Sequence, residues 1–159
     1  MKTHYLFPNR FKTYGWIIFL SGFVLAGLMV SLDLEPAFLD LNIFTIAAQP
    51  NFMGDPEYFS MQENNMLAEI VGILLICGLL FIAFAKEKVE DEFIARLRLE
   101  SLVWATYVNY IILAISILFI YDMVFFWVLI INMFTILLFF LLRFNWILYK
   151  TNKQMEHEE

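Results

Sequence analysis

The sequence predicts an all-α integral membrane protein, a single domain spanning 1–159 in which four transmembrane helices form an up-down antiparallel bundle. The chain is 62% hydrophobic, whereas soluble domains are typically ~45–50% apolar. The excess is concentrated in four blocks, and Glu69 is the one charged residue inside them. The ten Lys and Arg residues lie outside the blocks, in three segments that a four-span chain places on one side.

The four blocks have the length that a bilayer requires. A helix needs roughly 20 apolar residues to cross ~30 Å of hydrocarbon, and lipid offers backbone groups no hydrogen-bond partner outside a helix or a closed barrel. The expected spans are residues 14–32, 66–85, 102–121 and 123–142. The first span follows a basic N-tail, as a signal peptide would. Its apolar run exceeds the usual ~7–15 residues and no small-x-small cleavage site follows closely, so a retained helix is expected.

The charge distribution predicts the orientation. Lys and Arg occur in the N-tail, in the loop 86–101 and in the C-tail, whereas the loop 33–65 contains none. By the positive-inside rule, the three basic segments and both termini face the cytoplasm. The acidic residues assigned to the opposite side are Asp33, Glu35, Asp40, Asp55, Glu57, Glu63 and Asp122.

The outer loop, residues 33–65, mixes apolar residues with prolines and acids. This composition predicts a short amphipathic helix near Pro36–Phe44 that lies at the membrane interface. Asn64 or Asn65 is expected to cap the second span, because an Asn side chain accepts from free N–H groups at a helix start. The rest of the loop's fold is left open.

The inner loop, residues 86–101, is expected to be a cytoplasmic helix that continues into the third span. Val89 and Phe93 lie four residues apart and mark one apolar face. Glu92 and Arg96 form a favourable pair at the same spacing. The C-tail is expected to continue the fourth span beyond the membrane in the same way.

Small residues in the first two spans could let helices approach closely. The first span contains Gly22-x-x-x-Ala26 and Gly27-x-x-x-Ser31, and the second contains Gly72 and Gly78. Small residues at this spacing allow close backbone contact. Because Gly and Ala are common in membrane helices, a packing seam and a coincidence both remain open.

The sequence favours no cofactor, no metal and no enzymatic activity. The two histidines, His4 and His157, lie in the tails, whereas haem ligands in a bundle must project inward. Zinc is disfavoured because Cys77 is the single cysteine and has no neighbouring histidine. Phosphate loops, nucleophile elbows and metalloprotease motifs are absent from the sequence.

Several polar residues are expected at membrane depth. Ionisable groups inside spans are functional candidates by default, but Glu69 lies one turn from the outer end of its span, where a helix N-terminus favours a carboxylate. Asn109 and Thr135 should lie at similar depths in the hairpin of spans three and four, with Asn132 nearby. The two interpretations are interhelical hydrogen bonding and a site on a substrate path.

The inner loop carries alternating charges that are too balanced to predict direct nucleic-acid binding. A solvated helix and a docking face for a cytoplasmic protein are both compatible with them. The candidate docking residues are Asp91, Glu92, Arg96, Arg98 and Glu100.

One part of the chain resembles a known group of proteins. The stretch AKEKVEDEFIARLRLESLVWATYVNYIILAISILFIYDM, followed by NMFTILLFFLLRFNWILYK, is similar to small bacterial membrane proteins with four predicted helices, often encoded beside a short helix-turn-helix regulator. The similarity covers roughly residues 63–150, and Asp91-Glu92 with Arg98, Glu100 and Ser101 is its most distinctive part. The resemblance implies the bacterial inner membrane and a helix-turn-helix partner, and the group has no established activity.

Two functional hypotheses follow. The first is a non-enzymatic signalling or regulatory membrane protein, in which the outer loop senses and the cytoplasmic helix docks a regulator. The alternative is a membrane-embedded protein that binds or transports a lipid, a quinone or protons, or an accessory subunit of a larger complex. Transporters usually show internal repeats and broken helices, which are absent from this sequence, so the first hypothesis is preferred. Homo-oligomerisation is left open.

Overall fold

The computed structural model describes residues 5–49 and 55–158 and is mostly helical. Its four helices are all long and apolar enough to cross a membrane. The elements are α1 (Arg10–Leu32), β1 (Asp40–Ala48), β2 (Glu57–Asn65), α2 (Leu67–Phe84), α3 (Glu92–Phe119) and α4 (Asp122–Glu158). The chain divides into two compact units, Met1–Phe19 with Leu75–Glu159 and, separately, Leu20–Leu74.

The helices α1 and α2 agree with the predicted spans 14–32 and 66–85 to within four residues. The helix α3 begins at Glu92, before the predicted start at 102, and ends at Phe119. The helix α4 contains the predicted span 123–142 and continues to Glu158, which agrees with the expected continuation of the fourth span into the C-tail. Ile120 is extended, its N–H still donating to the Ser116 carbonyl, and α4 begins directly at Asp122. Asp122 has a φ of 57°, a left-handed conformation that Asp tolerates better than most residues. The turn between α3 and α4 is therefore as short as the sequence predicted.

The outer loop is a β-hairpin, and the predicted amphipathic helix at Pro36–Phe44 is wrong. Helical structure there is limited to a 3₁₀ turn, Ala37–Leu39, after which β1 pairs with β2 in antiparallel register. Thr45 Oγ1 donates to the Ser60 carbonyl across the strands at 3.0 Å. The helix prediction failed because antiparallel pairing with β2 decided the conformation of β1, and the composition of residues 36–44 alone does not report such pairing.

The hairpin base is joined to α2 by Asn65. Its Oδ1 accepts from the Leu67 N–H at 3.2 Å, which confirms the expected capping role. Its Nδ2 donates to the Pro36 carbonyl at 3.0 Å and to Asp40 Oδ1 at 2.6 Å. One amide side chain thereby fixes the start of α2 and the start of β1.

In the unit formed by Met1–Phe19 and Leu75–Glu159, α3 and α4 form an antiparallel hairpin around an apolar core. The Phe140 ring stacks on Phe84 with a centroid distance of 6.1 Å and on Phe144 with a centroid distance of 5.7 Å. Phe140 is fully buried. The core residues are Leu79, Ile82, Ala83, Ile94, Leu97, Ala105, Phe140, Leu141 and Phe144.

Close contact between α1 and α2 in this unit depends on two glycines. A Cβ on Gly78 would lie 2.6 Å from the Phe19 backbone nitrogen, and one on Gly15 would lie 2.9 Å from the Ile82 backbone nitrogen. Nothing lies within 4 Å of the corresponding positions at Gly27 and Gly72. Of the glycines named from the sequence, Gly78 therefore makes a close helix contact in this unit, and Gly15, which was not named, makes another.

The inner loop is helical only from Glu92, so the predicted extension is wrong over 86–91 and right over 92–101. Asp91 Oδ1 accepts from the Ile94 N–H at 2.8 Å and starts α3 as an N-cap. The Lys86 N–H donates to the Phe7 carbonyl, and the Phe7 N–H to the Phe84 carbonyl, each at 2.9 Å. These bonds hold the backbone after α2 in an extended bridge, which excludes a helix there.

Candidate functional site

An open groove of about 800 Å³ lies where the start of α1, the 85–91 segment, the start of α3 and the late part of α4 meet. It is called the end groove below. All its lining residues belong to the unit formed by Met1–Phe19 and Leu75–Glu159. They are Asn9, Lys12, Thr13, Trp16, Glu87, Lys88, Val89, Asp91, Phe93, Ile94, Leu148 and Thr151.

One wall of the end groove is fixed by polar contacts between the N-terminal segment and the segment after α2. Lys12 Nζ lies 2.5 Å from Glu87 Oε1, and the two side chains are 24% and 14% exposed. Asn9 Nδ2 donates to the Lys86 carbonyl at 2.7 Å. The ion pair is shielded from solvent and the Asn9 hydrogen bond is short, so this wall is held in place without a bound partner.

A second ion pair lies behind the start of α3. Arg98 Nη1 and Nη2 contact the two carboxylate oxygens of Glu90 at 2.5 Å and 3.3 Å. The guanidinium carbon also lies 5.4 Å from the centre of the Phe144 ring, a cation–π arrangement. Arg98 is 7% exposed, so its charge is neutralised inside the protein.

The five residues predicted for docking fall into two groups. Asp91 caps α3 and Arg98 is buried against Glu90, so both hold the local structure. Glu92, Arg96 and Glu100 are exposed. The predicted Glu92–Arg96 pair is absent: among the described residues, the ion pairs are Lys12–Glu87 and Arg98–Glu90.

The exposed part of α3 has one side that combines charge with an aromatic ring. Phe93, Arg96 and Glu100 follow at i, i+3 and i+7, which places them on one helix face. Phe93 is 47% exposed and also lines the end groove. Val89, another groove residue, is 74% exposed. The groove and this face together form a surface with an apolar centre and a charged border.

The polar residues expected at membrane depth are divided between the two units. Asn109, Asn132 and Thr135 come together between α3 and α4, where Asn132 Nδ2 donates to Asn109 Oδ1 at 3.2 Å and Thr135 Oγ1 donates to the same oxygen. Asn109 is 5% exposed. Glu69 belongs to the other unit, is exposed and accepts from Asn64 Nδ2 at 2.7 Å. The interhelical hydrogen bond predicted for Asn109 and Thr135 is confirmed.

Sequence reasoning missed the pairing of Lys12 with Glu87 and the role of Asn9. These residues are separated by about half of the chain, so no local spacing reveals their contact. One signal was available: the orientation argument assigned the N-tail and the loop 86–101 to the same side, where opposite charges could pair. The sequence did not indicate which acidic residue of the loop 86–101 pairs with Lys12.

Within residues 5–49 and 55–158, no group of three or more His, Cys, Asp or Glu side chains is placed to hold a metal ion. No protein family, curated protein or solved structure matches the chain.

Proposed function

We propose that the chain is a non-enzymatic regulatory protein of the bacterial inner membrane that docks a cytoplasmic regulator at the end groove. The observation that carries the proposal is the combination of exposed Val89 and Phe93 with a border of charged side chains on a preformed wall. Specific protein interfaces typically have an apolar centre with aromatic anchors and a polar rim.

Membrane insertion as an antiparallel four-helix bundle, with both termini in the cytoplasm, forms part of this proposal. Its support is that residues from all three basic segments line the end groove: Lys12, Lys88 and Thr151 come from the N-tail, the inner loop and the C-terminal end of α4. Because these segments meet at one end of the unit, their basic side chains share a side, as the positive-inside rule requires of cytoplasmic segments.

The partner that fits the end groove is a short amphipathic helix. The groove is large enough for one or two bulky apolar side chains, and the border offers both acids and bases to opposite charges on the partner. Arg96 and Glu100 extend this border along α3. The resemblance of the juxtamembrane segment points to a helix-turn-helix regulator as the protein that supplies the helix.

The β-hairpin is the proposed sensing element. Its exposed face carries Phe44 and Phe59, whose ring centroids lie 6.3 Å apart, together with Met61. Such an exposed apolar face on the outer side would respond to an envelope component or ligand that covers it. The helix α3, Glu92–Phe119, is uninterrupted, and its first turn lines the end groove. A shift of its membrane-spanning part would therefore move the groove lining as well.

The proposal is tested by site-specific photocrosslinking of the full chain in cells. A benzoyl-phenylalanine replaces Phe93 in one strain and Leu99 in another. Leu99 is a matched control because it is 63% exposed on the same helix but lies about 120° around the axis from Phe93. We expect an adduct with a cytoplasmic helix-turn-helix protein from position 93 and much less from position 99.

Charge reversal separates docking from chance proximity. The double variant Arg96→Glu with Glu100→Lys should abolish the adduct from position 93 while leaving the amount of membrane-bound chain unchanged. Equal adducts from positions 93 and 99, or an adduct that survives the charge reversal, would exclude this docking surface. Asp91 and Arg98 are unsuitable for the test because both stabilise the start of α3.

A further inference from the structure

A second cavity, about 400 Å³ in volume, lies along α4 and is almost entirely apolar. It is called the side groove below. Trp16 and Phe19 of α1 and Leu79 of α2 form one wall, and Leu138 and Leu142 of α4 form the other. All belong to the unit of Met1–Phe19 and Leu75–Glu159. The contact of Gly78 with Phe19 closes α1 onto α2 and so leaves the groove between this pair and α4.

The side groove continues towards a basic, aromatic end. Trp146 and Tyr149 line it and also line an adjoining open depression of about 300 Å³ on the same helix, together with Lys150, Lys153 and Gln154. Trp146 is 75% exposed and Tyr149 is 70% exposed. Trp and Tyr with one apolar side and one wet side are typical of the membrane–water interface, and lysines beyond them reach the headgroup level.

The predicted fourth span ends at Leu142, and Lys150 follows eight residues later, which is about 12 Å of helix. Helix side chains lean towards the N-terminus, and a lysine extends its ammonium group back towards the membrane interface. A lipid with an acyl chain against Leu138 and Leu142 would therefore have its phosphate within reach of Lys150 and Lys153.

We propose that the side groove and its basic end bind one anionic phospholipid, with an acyl chain against Leu138 and Leu142 and the phosphate between Lys150 and Lys153. The two lysines argue for an anionic headgroup, since no acidic side chain is among the described residues lining the two cavities. Attraction of an anionic lipid to basic residues near a membrane surface is substantial for each Lys. The inference rests on the proposed membrane insertion, and it adds a specific lipid to that proposal.

Native mass spectrometry of the full chain in mild detergent tests the site. The probes are dioleoyl phosphatidylglycerol and dioleoyl phosphatidylcholine, titrated separately. We expect the first bound phosphatidylglycerol to be held about tenfold or more tightly than phosphatidylcholine. The variant Lys150→Gln with Lys153→Gln should remove this preference. The control variant Arg10→Gln with Lys86→Gln, which removes the same charge from exposed positions outside both cavities, should retain it.

A steric variant tests the acyl-chain part of the site. Leu142→Trp should weaken binding of both lipids several-fold by filling the side groove. Ile131→Trp, a matched change at an exposed position of α4 outside the groove, should leave binding unchanged. Equal affinity of the unaltered chain for the two lipids would overturn the inference, as would full binding by either the lysine variant or Leu142→Trp.

The outcomes also separate this inference from the proposed function. If the chain fractionates with membranes and crosslinks from position 93 but shows no phosphatidylglycerol preference, only the lipid site is contradicted. If the chain is absent from the membrane fraction, both the lipid site and the proposed regulatory function are contradicted.

Discussion

Arg98 on α3 and Glu90 in the segment before it form a two-point ion pair that spans the N-cap of the helix. Their side chains are 9% and 21% exposed, so the arginine is the more deeply buried partner. Phe144 of α4 lies under the guanidinium, and Arg98 Nη2 also reaches the Ala85 carbonyl at 3.4 Å. One side chain thereby connects the end of α2, the start of α3 and the core face of α4.

The unequal burial of this pair predicts an unequal response to mutation. Glu90→Gln leaves a buried guanidinium without a counter-charge, and we expect the free energy of unfolding to fall by about 3 kcal/mol. Arg98→Met leaves a carboxylate that water can reach, so its effect should be smaller. Chemical unfolding in detergent micelles, followed by Trp fluorescence, measures both. Glu92→Gln, an exposed acid outside the described ion pairs, is the control, and a larger loss for Arg98→Met would contradict the assignment.

The cluster of Asn109, Asn132 and Thr135 predicts a second stability effect. Asn109→Leu removes the acceptor shared by the other two side chains and leaves the Asn132 amide without its partner across the helices, whereas Thr135 Oγ1 keeps its bond to the Asn132 carbonyl. We expect a loss of about 1–2 kcal/mol in the free energy of unfolding. Tyr110→Phe, at an exposed neighbouring position, should cost little. The double variant Asn109→Leu with Asn132→Leu should lose less than the two single losses combined, and strict additivity would argue against the cluster.

The helices could be predicted from the sequence because a bilayer restricts the alternatives. A continuous apolar block of about 20 residues that crosses lipid must bond its backbone internally, and a helix does so within one segment. The depth of Asn109 and Thr135 followed from the same argument, since a fixed rise per residue places side chains on two antiparallel helices. The structure brings these two residues into contact, as expected.

The loops were predicted less well because their conformation depends on hydrogen bonds to other segments of the chain. Residues 40–48 form a strand because they pair with 57–65. Residues 86–91 are not helical, and the Lys86 backbone is bonded to Phe7 instead. The candidate docking residues show the same limit. Charge pattern identified Asp91 and Arg98, but only their three-dimensional contacts reveal that they stabilise the helix start, whereas Arg96 and Glu100 remain exposed.

The glycine contacts predict that two similar substitutions in α2 will differ. Gly78→Ala would place a Cβ 2.6 Å from the Phe19 backbone nitrogen, so α1 and α2 must separate. We expect a loss of about 2 kcal/mol or more in the free energy of unfolding, by analogy with overpacked cores. Gly72→Ala meets nothing within 4 Å and should be neutral or slightly stabilising, because Ala favours helices. Thermal unfolding in detergent compares them, and equal midpoints would contradict this packing.

The proposed topology predicts which loops a membrane-impermeant maleimide can reach in intact cells. In a Cys77→Ser background, Asp55→Cys in the segment before β2 should be labelled from outside, since the proposed topology assigns that segment to the side without basic residues. Lys88→Cys at the end groove and Lys153→Cys on α4 should be labelled only after the cells are permeabilised. All three positions are exposed in the described structure, so a failure to react reports the membrane barrier and not burial.

Labelling of position 88 or 153 in intact cells would contradict the proposed topology and with it the cytoplasmic docking surface. The two positions test different parts of the topology. If 153 alone reacted from outside, the hairpin of α3 and α4 would not place the C-terminal end of α4 beside the N-tail in the membrane. That result would contradict the end groove itself, because Leu148 and Thr151 of α4 and Lys12 of α1 must face the same compartment to line it together.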